Sequence, residues 1–213
     1  MTQRNEPSQA SMKTFVYVGC GRKTRAQTGP GFKGEDWREI RLDIDPRVAP
    51  DIVGNMTDMS GVRAGPVDAM FSSHNIEHLY PREVPQALAK FNRVLNPDGI
   101  AVLTCPDPQS VCALVAADKL TEPAYTSPAG PISPLDILPG HRDSIQRGNL
   151  CMAHRRGFTL RVRLGTLKTA GFAGVFGLRR AVHFDLWAIA STQAIDTAAQ
   201  KLMAERHFSK RHA

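Results

Sequence analysis

The 213-residue sequence is 42% hydrophobic and 22% charged, enough apolar material for one packed domain. No apolar run approaches membrane-spanning length, and Met1 to Lys13 lacks the apolar stretch of a secretion signal, so a cytoplasmic protein is expected. The formal charge of +7 suits an anionic partner, while Cys20, Cys105, Cys112 and Cys151 have no Cys-x-x-Cys spacing and read as reduced thiols.

One domain is expected over 1–213, with residues 1–12 as a flexible N-terminus. Phe15 to Val18 run continuously apolar and read as a buried parallel strand. It ends in Gly19-Cys20-Gly21, where glycine lets the backbone turn sharply and approach a ligand. The third glycine of the dinucleotide fingerprint is missing, because Arg22 and Lys23 follow. Pro30-Gly31 and Gly34 argue against a long helix before Asp36. Arg38 to Asp43 reads as a second strand, Asp51 to Asn55 as a short third, and Val67 to Ser73 as a fourth.

A helix is expected from Pro81 to Leu95, with Val84, Leu88, Phe91 and Leu95 at helical spacing. Asn96-Pro97-Asp98-Gly99 reads as a stop and turn, and Ile100 to Cys105 as the fifth strand. After a short helix at Val111 to Ala117, recurring Pro and Gly predict a long irregular loop, and the 108–156 segment is expected to be an insertion covering an acceptor. Thr159 to Ala170 reads as a helix that buries Leu160, Val162, Leu164 and Leu167. Ala173 to Arg180 and His183 to Ser191 read as an antiparallel pair, followed by a terminal helix, Ile195 to His207, within a 193–213 tail.

The fold class is therefore α/β, a Rossmann-like, mostly parallel sheet with a C-terminal antiparallel hairpin and a long insertion after strand five. Four successive strand ends are polar, at Gly19-Cys20-Gly21, Asp43, Asn55 and Ser72-Ser73-His74. Ligands bind beyond such carboxyl ends.

Several motifs together resemble the class I S-adenosylmethionine-dependent methyltransferases, nearest to the methyltransferase type 11 group. They are Val-Gly-Cys-Gly at 18–21, Leu-Asp-Ile-Asp-Pro at 42–46, Asp-Ile-Val-Gly-Asn at 51–55, the fourth-strand motif at 67–79, Asn-Arg-Val-Leu-Asn-Pro-Asp-Gly at 92–99 and Gly-Phe at 171–172. The resemblance implies S-adenosylmethionine as cofactor, held by Gly19, Cys20, Gly21, Asp43, Ile44, Asn55, Met56 and Ser73. In it Asp43 accepts the ribose hydroxyls and Asn55 and Met56 meet the adenine. The alternative for Asp43 is a turn aspartate that caps Asp45-Pro46. Where the family has an acid two residues before the first glycine, this chain has Tyr17.

Methyl transfer needs alignment, exclusion of water and sometimes a base. His74 is the first candidate for the catalytic base and His78 the second, since imidazole titrates near operating pH. His141 and His154 lie in the segment expected to cover the acceptor. His74-x-x-Glu77-His78 is also a zinc-peptidase spacing, but it follows a strand directly, and no metal is expected. The small-RNA 2′-O-methyltransferases carry a similar segment and bind a divalent ion. By that likeness Glu77 and His78, with His141 or His154, form the alternative metal reading. The leading function is methylation of a small-molecule or saccharide-type acceptor at oxygen. The alternatives are an RNA-directed methyltransferase, favoured by the basic balance, and a non-catalytic protein that keeps the fold, favoured by Tyr17.

Overall fold

The first apolar run pairs on both sides at once, which places it inside the sheet rather than at an edge. In the computed structural model, which describes residues 12–65, 67–128 and 130–208, β1 (Lys13–Val18) lies between β2 (Trp37–Asp43) and β4 (Val67–Ser73). Residues 1–11 and 209–213, which contain most of the expected flexible N-terminus and the last of the tail, lie outside the described residues. A two-residue β3 (Ile52–Val53) pairs with β2, and β5 (Leu95–Pro106) pairs parallel with β4. Beyond β5 come β9 (Asp185–Ser191) and β8 (Gly174–Arg180), joined as an antiparallel hairpin through a single turn at Ala181–His183. The order β3-β2-β1-β4-β5-β9-β8 reverses between β1 and β4, where open α/β sheets open a crevice for ligands.

Alternation inside an apolar strand sends its side chains to both faces. Val16 and Val18 join the core under α1 (Glu83–Val94) and α5 (Leu160–Thr169). Phe15 and Tyr17 face the other way into an aromatic cluster with Phe32, Trp37, Phe71 and Trp187. That second face is closed by a single turn at Pro30–Phe32 and by α6 (Thr197–His207), whose Ala204 and the following Phe208 enter the cluster. The loop after Gly21 forms only single turns, at Arg25–Gln27 and Pro30–Phe32. The terminal helix thus covers a face that no long helix after the glycine loop reaches.

Three expectations are corrected. Asn96 to Gly99 is not a turn between elements but part of β5, which begins at Leu95 opposite Val67 and shifts register before Ala69. Val162 is 40% exposed, and the inward stripe of α5 is Leu160, Arg163, Leu164 and Leu167, with Arg163 buried. The Arg163 guanidinium lies beside Cys105 and 5.8 Å from the centre of the Phe158 ring. Burial pushes the Cys105 thiol up to about 12 despite that positive neighbour, which leaves it an inert core thiol.

The stretch after β5 is not one irregular loop either. It holds α2 (Pro108–Ala116), a hairpin of β6 (Tyr125–Ser127) and β7 (Gly130–Ile132), then α3 (Pro134–Ile137) and α4 (Arg142–Gln146). Asp107 starts α2 as its N-cap, accepting from Gln109 N–H at 3.1 Å and from the Ser110 hydroxyl. Val111, Ile132 and Ile137 give the segment a small core of its own, against which Tyr125 and Phe184 pack.

Candidate active site

The carboxyl ends of β1, β2, β4 and β5 meet along one edge. Gly19 and Gly21 have φ of +62° and +54°, the left-handed region that glycine enters without strain. A Cβ on Gly19 would overlap the Asn75 side chain, whereas one on Gly21 would meet open space. Asn75 is why the fit is so close: its Nδ2 donates to the Val18 carbonyl and the Ser73 carbonyl, each at 3.0 Å, and so ties the end of β1 to the end of β4.

The second wall is Asp43. Its Oδ2 accepts from Gly21 N–H at 2.7 Å and its Oδ1 from Asp45 N–H at 2.9 Å. The carboxylate therefore caps the turn and also fixes the glycine loop. Each oxygen keeps a further lone pair for a ligand hydroxyl. Arg41 completes the frame from below, donating to the carbonyls of Gly21, Val48 and Ala49. Ile44 follows Asp43 with 56% of its surface exposed, an apolar platform at the mouth. Asn55 Oδ1 accepts from Thr57 N–H at 3.0 Å within its own turn, and Met56 packs partly against the core. Cys20 turns its side chain into the aromatic cluster, and burial raises its thiol, so only its backbone lines the loop. Ser73 is buried and its hydroxyl shares a 2.9 Å hydrogen bond with Thr104. The open space above Gly21, the spare lone pairs of Asp43 and the bare face of Ile44 fit a nucleoside with an amino-acid tail.

Tyr17, at the position of the family's acid, is 1% exposed and packs edge-on against Phe71 at 5.1 Å. Burial, with Cys20 and Glu39 nearby, raises its phenol further above the ordinary value. It belongs to the core and not to the ligand edge.

On the other side of the edge, β4 ends in a strained step. His74 holds a φ of +55°, uncommon for a residue with a side chain, while its N–H donates to the Thr104 carbonyl at 3.1 Å. A single turn, Ile76–His78, follows and buries Glu77 to 1% exposure. His74 Nδ1 lies 3.5 Å from Glu77 Oε1, and His154 Nε2 lies 4.0 Å from the same oxygen. Burial alone would raise the Glu77 carboxyl, but the His74 ring beside it and the nearby His78 and His154 outweigh that and hold it below its usual value. His154 moves down, chiefly by burial. The segment 153–156 is strapped to this turn: Arg155 and Arg156 N–H both donate to the Glu77 carbonyl, and the Ala153 carbonyl meets His78 Nδ1 at 3.1 Å.

A cleft of about 400 Å³ opens here between the strand ends and the 108–156 segment. His74, His78, His141, His154 and His183, five of the seven histidines in the sequence, line it. Tyr125 and Phe184 stack along one wall with ring centres 6.2 Å apart, and Asp136 lies on the same lining. The sequence marked His74, His78, His141 and His154, and the structure gathers all four. It gave no role to Asn75, Tyr125, Asp136, His183 or Phe184. For Asn75 the available signal was its place two residues past the end of β4; the rest lie on short elements or turns without a motif.

A family model described as a methyltransferase domain matches residues 17–103. None of the curated proteins matches this sequence. Among solved structures, a methyltransferase dependent on S-adenosylmethionine from Archaeoglobus fulgidus is 14% identical with a TM-score of 0.56, over 85% of this chain and 87% of that one. One from Mesorhizobium loti is 16% identical with a TM-score of 0.52, over 87% and 93%. A possible exported protein from Bordetella parapertussis is 18% identical with a TM-score of 0.53 over 86% of this chain, which spans only 63% of that protein. At such identities the structures establish the fold alone. A carbon methyltransferase, CurJ, shares it at a TM-score of 0.54 and 14% identity, so the fold does not select the acceptor atom.

Proposed function

We propose that this chain is a class I S-adenosylmethionine-dependent methyltransferase and that it methylates a hydroxyl oxygen of a small or saccharide-type acceptor bound in the histidine-lined cleft. The observation that carries the reading is the lining itself. Imidazoles both donate and accept hydrogen bonds, as hydroxyls do, and the Tyr125–Phe184 wall offers a flat apolar face to a sugar ring.

Asp43 would take the ribose hydroxyls, Ile44 and Met56 the adenine face, Asn55 its edge, and the backbone of Gly19 to Gly21 the amino-acid tail, with Ser73 beneath. Bound S-adenosylmethionine supplies an already activated methyl group. The protein's task is then to align the acceptor and exclude water. His74 stands at the junction of the two halves of the site. With Nδ1 directed at Glu77, its Nε2 is the nitrogen left for the acceptor hydroxyl, whose proton it receives as the oxygen–carbon bond forms. His78 lies behind it.

A panel of saccharides, phenols, amines and carbon acids, each offered with radiolabelled cofactor, tests the assignment. Label is expected in hydroxyl acceptors, and His74→Ala should lower turnover ~10²–10⁴-fold with cofactor affinity intact. Label confined to amines or carbon acids would overturn the oxygen assignment. Unchanged turnover in His74→Ala would remove that residue from the chemistry.

A further inference from the structure

Glu77 is an anomaly that the cofactor site does not explain. Both of its carboxylate oxygens are buried, and the nearest side-chain partner is His74 Nδ1, too far from Oε1 at 3.5 Å for a well-formed hydrogen bond. An ionised carboxylate in that position needs a compensating cation, because burial without a partner is costly. No lysine or arginine forms an ion pair with it among the described residues; its near neighbours are imidazoles. One donor atom each from Glu77, His78 and His154 lie within 4.8 Å of one another.

We propose that Glu77, His78 and His154 form a binding site for a divalent first-row transition-metal ion, with its open face toward the cleft. Two imidazoles and one carboxylate are a donor set for Zn²⁺, Mn²⁺ or Co²⁺ rather than for Mg²⁺ or Ca²⁺, which prefer oxygen alone. Ligand atoms about 2.0–2.2 Å from an ion require the present cluster to tighten by roughly an ångström. The supports for that are already in place. The Ala153 carbonyl can only accept, so His78 Nδ1 carries the proton and Nε2 presents a lone pair. The His154 ring lies beside the Ile137 backbone, and the two N–H donors of Arg155 and Arg156 fix the Glu77 backbone. His74 Nδ1, 3.5 Å from Glu77 Oε1, stands beside the cluster on the cofactor side. The ion's remaining position faces the cleft, where it would hold an oxygen of the acceptor beside His74. This use of the ion rests on the acceptor reading above; the binding site does not.

The test is binding, read without any acceptor. The full chain, stripped by a chelator, is titrated with Co²⁺ by visible absorption and with Zn²⁺ by calorimetry. S-adenosylmethionine is titrated into the same samples. One ion per chain is expected, with affinity lowered at least ~10–100-fold in Glu77→Gln and in His154→Gln. Replacing the exposed thiols, Cys112→Ser with Cys151→Ser, should change nothing. Circular dichroism reports folding, and where Glu77→Gln fails to fold, His154→Gln decides alone. Cofactor binding without metal binding overturns the site and leaves the methyltransferase reading standing. Metal binding that survives in the folded variants, or is lost in the double serine variant, overturns it equally.

Discussion

Asp43 fixes the glycine loop and its own turn, and in the proposed reading it also takes the cofactor's ribose, so one substitution tests both roles by two readouts. Asp43→Ala removes the acceptor of Gly21 N–H at 2.7 Å and of Asp45 N–H at 2.9 Å. Hydrogen bonds to a charged group contribute on the order of 1.5–3 kcal/mol each. Gly21 and Asp45 are both half-buried, so the freed N–H groups reach water, and the net loss of stability should be about 2–3 kcal/mol in total. On the proposed reading the cofactor loses its ribose acceptor as well. One charge-assisted bond of ~1.5–3 kcal/mol corresponds to a ~10–150-fold weaker complex. Asp43→Asn keeps one acceptor oxygen and turns a donor toward an N–H, so it should retain little of either property. Denaturant unfolding gives the first quantity and calorimetry with S-adenosylmethionine the second. An alanine variant that unfolds early yet binds the cofactor within about twofold of wild type would show that Asp43 only caps the turn, and the ribose assignment would fall.

Three further outcomes concern stability, two of them at the aromatic face. Gly29 has an ordinary φ of −61°, but a Cβ there would overlap the His207 carbonyl oxygen, so Gly29→Ala should cost about 2–3 kcal/mol by displacing α6. Gly165→Ala, on an exposed part of α5 with open space around it, should instead raise stability by ~0.5–1 kcal/mol, and thermal melts of the pair check both signs. Burial, with Arg206 and Lys13 nearby, lowers the His207 imidazole to about 4. The native state therefore stays neutral where the unfolded chain takes up a proton near its ordinary pKa of about 6.5. Stability should be full above that value and fall by up to about 3 kcal/mol as pH drops toward 4, a slope that His207→Leu should lack. An identical pH dependence in wild type and His207→Leu would refute this.

The strands were legible because their signal is local. Phe15 to Val18, Val67 to Ser73 and Ile100 to Cys105 run apolar on both faces, and each ends in small or polar residues. What misled was local chemistry overruled at long range. Asn96-Pro97-Asp98-Gly99 has every mark of a turn, yet pairing between Leu95 and Val67 draws it into the sheet. Arg163 sits in the inward stripe of α5 beside a phenylalanine and a cysteine, and no charge count distinguishes it from the solvated arginines nearby. Elements of three to five residues, such as β6, β7, α3 and α4, are too short to show a period at all. Within the site, the glycine loop, Asp43 and the histidines of the β4 end were readable as motifs. His141 and His154 were expected above the acceptor from the place of their segment, but the approach of His183 was not, because it lies on the turn of the C-terminal hairpin without a motif.

The closure of the aromatic face by α6 has a consequence for synthesis. Phe15, Tyr17, Phe32 and Trp37 leave the ribosome early, but Ala204 and Phe208, which seal them from water, come more than 160 residues later. At ~5–20 residues per second that is an interval on the order of ten seconds or more. During it the half-built sheet shows a greasy flank and an unpaired rim, the kind of surface that holdase chaperones grasp and that crowded nascent chains join through. Slowing the last stretch of translation should therefore lower the soluble yield of this chain more than slowing the first.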